Sequence, residues 1–260
     1  MKNGLLIFIA VLIALGGSWC GLVLAPTLQL GGEKQTTVLN SADVYPVGRP
    51  GEANQGTSVY RANGCAACHT EQVRQDGTVC EVVLTAAGKN PEAVTNLVSS
   101  LKLTGLTKDA ADKAAAAISG AGGKVEIHIA ATGPDIARGW GMRQTVAADY
   151  LYDQPVQLGS LRAGPDLSNI GLREDASWQL LHLYAPRSVV KDSSMPPFRY
   201  LFEVRKSAGS EPSSDALKLP AEFAPPAGYE VVPTPEAVEL AAYLVSLRAN
   251  APLYAAPITP

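Results

Sequence analysis

The chain has 260 residues, a formal net charge of -3 at pH 7 and a charged fraction of 17%. This small excess of acidic residues indicates no surface that binds polyanions, so the charge argues against nucleic acid as a partner. The chain is long enough for one hydrophobic core, or for two.

The N-terminal segment, Gly4 to Ala25, contains 22 residues and no charge. A helix of this length can cross a hydrocarbon core of about 30 Å, so we predict a transmembrane anchor over residues 1–25. A cleaved signal peptide is the alternative, but the apolar run exceeds the usual length and Pro26 makes a poor cleavage context. Lys2 favours a cytoplasmic N-terminus, which places the rest of the chain outside the membrane.

The stretch GCAACHTEQVR contains a C-x-x-C-H motif formed by Cys65, Cys68 and His69. This spacing lets two thiols add to the vinyl groups of one haem while the histidine binds the iron. A thioredoxin-like dithiol would follow a strand, whereas a helix is predicted before this motif, with Asn54 as its cap. A zinc site would need a second ligand pair, and the other cysteines and histidines are scattered singly. The motif therefore predicts one covalently attached haem c.

A c-type haem that passes electrons quickly needs a second axial ligand, and methionine sulfur also raises its potential. The chain has three methionines. Met195 lies in SSMPPFRY, a proline-fixed loop downstream of the motif, and is our predicted ligand. Met142 in GWGMRQ is the second candidate for this ligand, and His182 is the third. Met1 is not a candidate because it lies beyond the anchor.

A ligating histidine normally donates its free ring N–H to a carbonyl or a carboxylate. In small cytochromes c, which the C-x-x-C-H motif resembles, the acceptor is the proline carbonyl of a G-P-x-L segment. Two segments here are similar to it, one containing Pro134 and the other, Gly164-Pro165-Asp166-Leu167, containing Pro165. The second has the leucine, so Pro165 is the predicted acceptor. Guanidinium groups suit haem propionates. Of six arginines in the flanking segments, Arg162 and Arg74 are the first choices, with a surface charge as the alternative for each.

Residues 79–131 differ from the flanking segments in their sequence pattern, which predicts strands as well as helices. Val125, Ile127 and Ile129 alternate with polar residues, which predicts a half-buried strand. An earlier strand near Val79 to Thr85 and two intervening helices complete a β-α-α-β unit. The two strands should be antiparallel neighbours, so that the chain enters and leaves the insert at adjacent points. Because an insertion with adjacent ends disturbs its host little, we predict a surface module for docking or spacing. The stretch from VVLTAAG through TGL to GGKVEI resembles a shortened C-terminal domain of the bacterial ribosomal stalk protein.

Four features of the remaining chain carry a second resemblance: C-x-x-C-H followed by T-x-x-V-R, the YDQPVQLGSLRAGPDL block, the HLYAPR block and the S-x-MPPF loop. Together they resemble the mono-haem second subunit of cbb3-type, or C-family haem-copper, cytochrome c oxidases. The insert departs from the family pattern. So does Gln179 after Trp178, where many relatives have a histidine.

The resemblance implies a cytochrome subunit of the bacterial inner membrane, with its haem domain on the periplasmic side. It would take electrons from a periplasmic cytochrome c or a multi-haem sister subunit and pass them to the catalytic haem-copper subunit. The chain itself would not reduce oxygen, because one span carries no set of intramembrane histidines. A nitric oxide reductase's cytochrome subunit and a haem-based gas sensor are the alternatives.

The predicted fold is mainly α, with an N-terminal transmembrane helix and a cytochrome c-like haem domain interrupted by the α+β insert. Thr234 caps a closing helix. The resemblance to cytochromes c implies that this helix crosses the helix before the motif, where Gly56 and Tyr60 offer small and aromatic contacts. The predicted divisions are the anchor (1–25), a linker (26–50), the first part of the haem domain with its motif (51–78), the insert (79–131), the second part of the haem domain (132–250) and a tail (251–260).

Overall fold

The computed structural model describes residues 3–207 and 212–259, so the predictions for Met1 and Lys2 lie outside the described residues. The described part is mostly helical, with three small two-stranded sheets. The α-helices are α1 (Gly4–Trp19), α2 (Ala25–Leu30), α3 (Gly51–Ala62), α4 (Pro91–Ser100), α5 (Lys108–Gly120), α6 (Pro134–Ala137), α7 (Ile170–Arg173), α8 (Ala176–Tyr184) and α9 (Pro235–Ser246). The strands are β1 (Thr36–Thr37), β2 (Val44–Tyr45), β3 (Gly77–Ala86), β4 (Lys124–Thr132), β5 (Phe202–Lys206) and β6 (Tyr229–Pro233).

Helices α1 and α2 join through a π-helical turn, Cys20–Leu24, into one apolar helix. Its span of 26 residues, Gly4–Gln29, is long and apolar enough to cross a membrane, and none of it is buried against the rest of the protein. The helix continues past Pro26. A proline removes one backbone donor and crowds the preceding turn, and the wider π turn lies directly before it.

Residues of the predicted linker pack against the body. The N–H of Leu39 donates to the carbonyl of Pro252 at 2.9 Å. Arg49 forms an ion pair with Asp153, in which both side chains are largely buried. The β1–β2 hairpin is therefore held between the anchor and the body.

Helix α3 crosses α9, as the sequence predicts. A Cβ at Gly56 would overlap the carbonyl oxygen of Glu239, so only glycine allows this close approach. The rings of Tyr60 and Tyr243 lie 5.2 Å apart, and both residues are fully buried. The predicted start of α3 is wrong, because the helix begins at Gly51 and not after Asn54. The reason is Pro50, whose fixed backbone angle suits the residue just before a helix.

The haem-motif side of the molecule has one hydrophobic core. It joins Tyr60 of α3 to residues of α8 and α9 and to Leu201 and Phe202 at the start of β5. Cys65 and Ala66 of the C-x-x-C-H segment pack against this core, which is assembled from distant parts of the sequence.

Strands β3 and β4 pair antiparallel from Gly77–Thr132 to Ala86–Lys124, as predicted. A second core lies between this sheet and helices α4 and α5, with Cys80, Val94 and Ile118 at its centre. Cys80 is buried in this core, and His128 lies on the polar face of the sheet beside Glu126. The likeness to the ribosomal stalk domain and the division of the chain into domains stay predictions.

Candidate functional site

The C-x-x-C-H segment forms one tight turn at the end of α3. A single turn of 3-10 helix, Cys65–Ala67, follows the last helical residue by three positions. The N–H groups of Cys68 and His69 both donate to the carbonyl of Cys65, at 3.1 and 3.0 Å. The turn therefore brings two thiols and one imidazole together within five residues. Neither thiol forms a disulfide.

The ring of His69 is oriented by the segment Gly164–Leu167. Its Nδ1 lies 2.8 Å from the carbonyl oxygen of Pro165, the predicted acceptor. A carbonyl accepts only from a protonated nitrogen, so Nδ1 carries the proton and Nε2 keeps a free lone pair. Burial lowers the pKa of His69, although the bond to Pro165 acts in the opposite direction. The imidazole is thus held neutral, the form that binds metals.

Gly164 is required beside this ring. A Cβ at position 164 would overlap Cε1 of His69 and would lie 2.7 Å from Nδ1 and 2.8 Å from Nε2. Real Cβ atoms do not approach a ring that closely, so any side chain here would displace the imidazole. Backbone contacts secure the approach, because the N–H of Gly164 donates to the carbonyl of Cys68 at 2.9 Å.

A cavity of about 520 Å³ lies in front of the motif. This volume is within the range for cofactor sites. The chemistry-bearing residues that line it are Cys65, Cys68, His69, Trp178, Gln179, His182 and Met195. Met195 is half-buried against the first core, whereas Met142 is 45% exposed and lies outside the cavity. The cavity therefore brings together the motif and the methionine that the sequence favours.

The two arginines chosen for the propionates lie elsewhere. Arg162 donates to the carboxylate of Asp135 at 2.6 Å and to the carbonyl of Gln72, and its guanidinium lies 5.6 Å from the Trp140 ring centre. The side chain of Arg74 is exposed. Neither residue lines the cavity, and their role as haem contacts stays a prediction.

Sequence reasoning missed the buried carboxylates behind the motif. The hydroxyl of Tyr243 donates to both carboxylate oxygens of Glu71, at 2.8 and 2.9 Å. Thr70 donates to Asp166 at 2.6 Å, and so does the N–H of Gln72 at 2.7 Å. Burial raises the pKa of Glu71 to about 7. These contacts fix the residues after His69 to α9 and to the Pro165 segment, and no local pattern in the sequence indicates them.

A larger cavity, of about 630 Å³, lies between residues 45–50 and the end of α9. Glu71 lines it, but Cys65, Cys68 and His69 do not. Its size alone therefore does not make it the chemical site.

The residues present fit a haem. No group of three or more His, Cys, Asp or Glu side chains that could hold a metal ion is found within residues 3–207 and 212–259. The cavity offers one oriented imidazole, one thioether and two free thiols, which is the donor set of a c-type haem. Two buried nitrogens in its walls, Nε2 of Gln179 and Nδ1 of His182, also lack a hydrogen-bond partner among the described residues.

Comparison with protein families finds a match over part of the chain. Residues 135–219 match the family described as "Cytochrome C oxidase, mono-heme subunit/FixO". The matched segment contains Pro165, α8 and Met195, and the C-x-x-C-H motif precedes it. A comparison with curated proteins finds no match. The matched segment supplies the far wall of the cavity, so this part of the chain is similar to mono-haem cytochrome c oxidase subunits.

Proposed function

We propose that this chain is a membrane-anchored mono-haem cytochrome c that relays electrons to the catalytic subunit of a cbb3-type haem-copper oxidase. In this proposal Cys65 and Cys68 would attach the haem, and His69 and Met195 would bind its iron. One observation carries it: the motif and Met195 line one cavity in which His69 is oriented by the Pro165 carbonyl. The family match over residues 135–219 supports the assignment to an oxidase.

The chain's own residues have distinct tasks in this scheme. When bound, a haem supplies one-electron exchange at its iron. Pro165 holds the proton on Nδ1 of His69 and so leaves Nε2 available to the metal. Met195 offers a soft thioether, which favours the reduced state. The apolar residues of the first core exclude water from the cavity walls, which keeps the local dielectric low.

Electrons would reach the cavity from a periplasmic cytochrome c or a multi-haem sister subunit. Cys68 is exposed and Tyr200, which lies beside the motif through its hydroxyl bond to Asn63, is 68% exposed. The mouth of the cavity is therefore accessible to a partner. The helix Gly4–Gln29 would hold this mouth close to the outer face of the inner membrane.

The ligand assignment is tested by expressing the full chain with cytochrome c maturation and comparing Met195→Ala with Met142→Ala. Met142 is the matched control, because it is exposed and outside the cavity. Met195→Ala should abolish the weak sulfur-to-iron absorption in the near infrared and lower the midpoint potential, whereas Met142→Ala should change neither. Loss of the band in Met142→Ala alone would overturn the assignment.

Attachment and anchoring have separate tests. Replacement of both Cys65 and Cys68 by alanine should abolish the haem stain that survives denaturing electrophoresis, since no thiol in the cavity could then bond the vinyl carbons. The intact mass of the purified chain should include the anchor. A mature chain that starts near Pro26 would contradict a retained membrane span.

We also propose that the insert, residues 79–131, is a module for docking or spacing. Its own core and the adjacent ends of β3 and β4 support this. Replacing it with a short Gly/Ser linker should leave haem content and potential intact while lowering oxidase activity. Failure to incorporate haem would instead make the insert part of the cytochrome fold.

A further inference from the structure

Helix α8 presents a polar stripe to the cavity. Trp178, Gln179 and His182 all line it, and their spacing of three and four residues places them on one face of the helix. The rings of Trp178 and His182 stack at 4.6 Å with an interplanar angle of 16°, which restrains the histidine ring. The rest of the stripe is the amide of Gln179.

The Gln179 amide is a buried donor without a partner. The residue is 3% exposed, and its Nε2 makes no hydrogen bond to the described part of the chain. Folded proteins leave few buried donors unpaired, and an exception calls for a partner other than protein. Nδ1 of His182, on the same face, also lacks a partner. Two unsatisfied nitrogens in the wall of one cavity therefore indicate polar groups on its occupant.

The occupant under the proposed function is a haem, whose macrocycle is apolar except for two carboxylates. A carboxylate accepts hydrogen bonds only, so it complements an amide N–H. The arginines do not compete for it in this structure, because Arg162 is engaged with Asp135 and neither Arg162 nor Arg74 lines the cavity. Lys191 is the rival, since it lines the cavity and is exposed.

We infer that the side-chain amide of Gln179 donates a hydrogen bond to a carboxylate of the bound haem. This inference rests on the proposed function and adds to it a residue that tunes the haem. A neutral donor offsets part of the carboxylate's negative charge. Removing it leaves more negative charge near the iron, which favours the oxidised state and lowers the midpoint potential.

The test uses the full haem-loaded chain with ¹³C-labelled haem carboxylates. Gln179→Leu removes the donor, Gln179→His keeps an N–H donor, and Lys191→Met removes the rival cation. The matched control is Gln157→Leu, at a buried glutamine outside the cavity whose Nε2 already donates to the carbonyl of Pro155 at 3.1 Å. Infrared difference spectra between the reduced and oxidised states report the labelled carboxylates, and redox titration reports the potential.

In Gln179→Leu the labelled carboxylate bands should shift and the midpoint potential should fall. Gln179→His should keep band positions and a potential close to those of the unsubstituted chain, and Gln157→Leu should leave both unchanged. The inference is overturned if the labelled bands stay in place in Gln179→Leu, if Gln179→Leu and Gln179→His behave alike, or if only Lys191→Met moves the bands. An unsubstituted chain without covalent haem would be a failure of the proposed function itself, which this design separates from a failure at Gln179.

Discussion

The two hydrophobic cores of this protein are built differently. The core beside the motif joins residues from Tyr60 to Leu247, whereas the core of the insert uses residues between Cys80 and Ile129 only. The two cores also differ in their buried side-chain polar atoms. In the part of the chain that the structure describes, three residues that line the motif's cavity have such an atom without a hydrogen-bond partner: Tyr60, Gln179 and His182. No residue between β3 and β4 in the described part has one.

This difference indicates which core depends on a ligand. The insert packs around a core of its own residues, and its described buried side-chain polar atoms all have partners. The motif's core encloses a cavity with unsatisfied nitrogens, which is costly unless another molecule fills the cavity. Four substitutions can break or sharpen this comparison, and they follow from the largest expected effect to the smallest.

Gly164→Ala should have the largest effect. The added Cβ would overlap the ring of His69, so the imidazole must move away from its position beside Pro165. We expect most of the covalent haem to be lost, as measured by haem absorbance per chain. Gly120→Ala is the control, because a Cβ at Gly120 meets no atom within 4 Å. Full haem content in Gly164→Ala would contradict the close packing of this turn.

Ile118→Ala should weaken the insert alone. Ile118 is fully buried in the second core, and truncation of such a side chain costs about 3 kcal/mol. Amide hydrogen exchange should accelerate between β3 and β4, while the haem spectrum and potential stay unchanged. Val79→Ala, at a partly exposed strand residue, should have little effect on exchange. A changed haem potential in Ile118→Ala would show that the two cores are coupled.

Arg162→Ala should reduce stability by about 2 kcal/mol, since it leaves the buried Asp135 with only the N–H of Arg74 and the more distant Arg138 as partners. Burial alone would raise the pKa of Asp135, but bonds from Arg162 and from the N–H of Arg74 hold it below its ordinary value. The folded pKa is thus below the unfolded pKa, so this stabilisation is present at neutral pH and is lost as the pH falls below about 4.

Urea unfolding at several pH values measures this effect. The difference in free energy of unfolding between the unsubstituted chain and Arg162→Ala should become smaller as the pH falls. Arg138→Ala is the control, because Arg138 is more exposed and lies 3.7 Å from the same carboxylate. A surface pair of that kind contributes at most about 1 kcal/mol. If Arg162→Ala shifted the haem potential without changing stability, its predicted role as a propionate partner would be favoured over the structural role.

Thr259→Val should have the smallest effect. The N–H of Ile129 in β4 donates to Oγ1 of Thr259 at 2.8 Å, which ties the tail to the insert. Loss of one such bond costs about 1 kcal/mol, so exchange of the Ile129 amide should accelerate roughly fivefold. The amide of Cys80, bonded to the carbonyl of Leu106, should be unaffected. Equal acceleration at Cys80 would mean that the tail supports the whole insert.

Local spacing in the sequence determined much of this protein. The C-x-x-C-H turn and the alternation in β4 follow from short-range geometry that a few residues encode. The crossing of the last helix at Gly56 and Tyr60 was expected from the resemblance to cytochromes c. The choice of Met195 and Pro165 followed from the proline-containing loop and the G-P-x-L segment, as small cytochromes c use them. The turn and the alternation could be predicted because their cause lies within the segment itself.

The tertiary structure alone decided which distant groups meet. Arg162 and Asp135 pair, Glu71 lies under Tyr243, and Gln179 lies in the cavity wall, although no local pattern links these positions. Burial in one shared core, and not sequence spacing, selects such partners, because a buried polar group must find whichever donor or acceptor the packing brings near. The sequence by itself therefore determined the motif and its nearest neighbours, and the fold determined the environment in which they act.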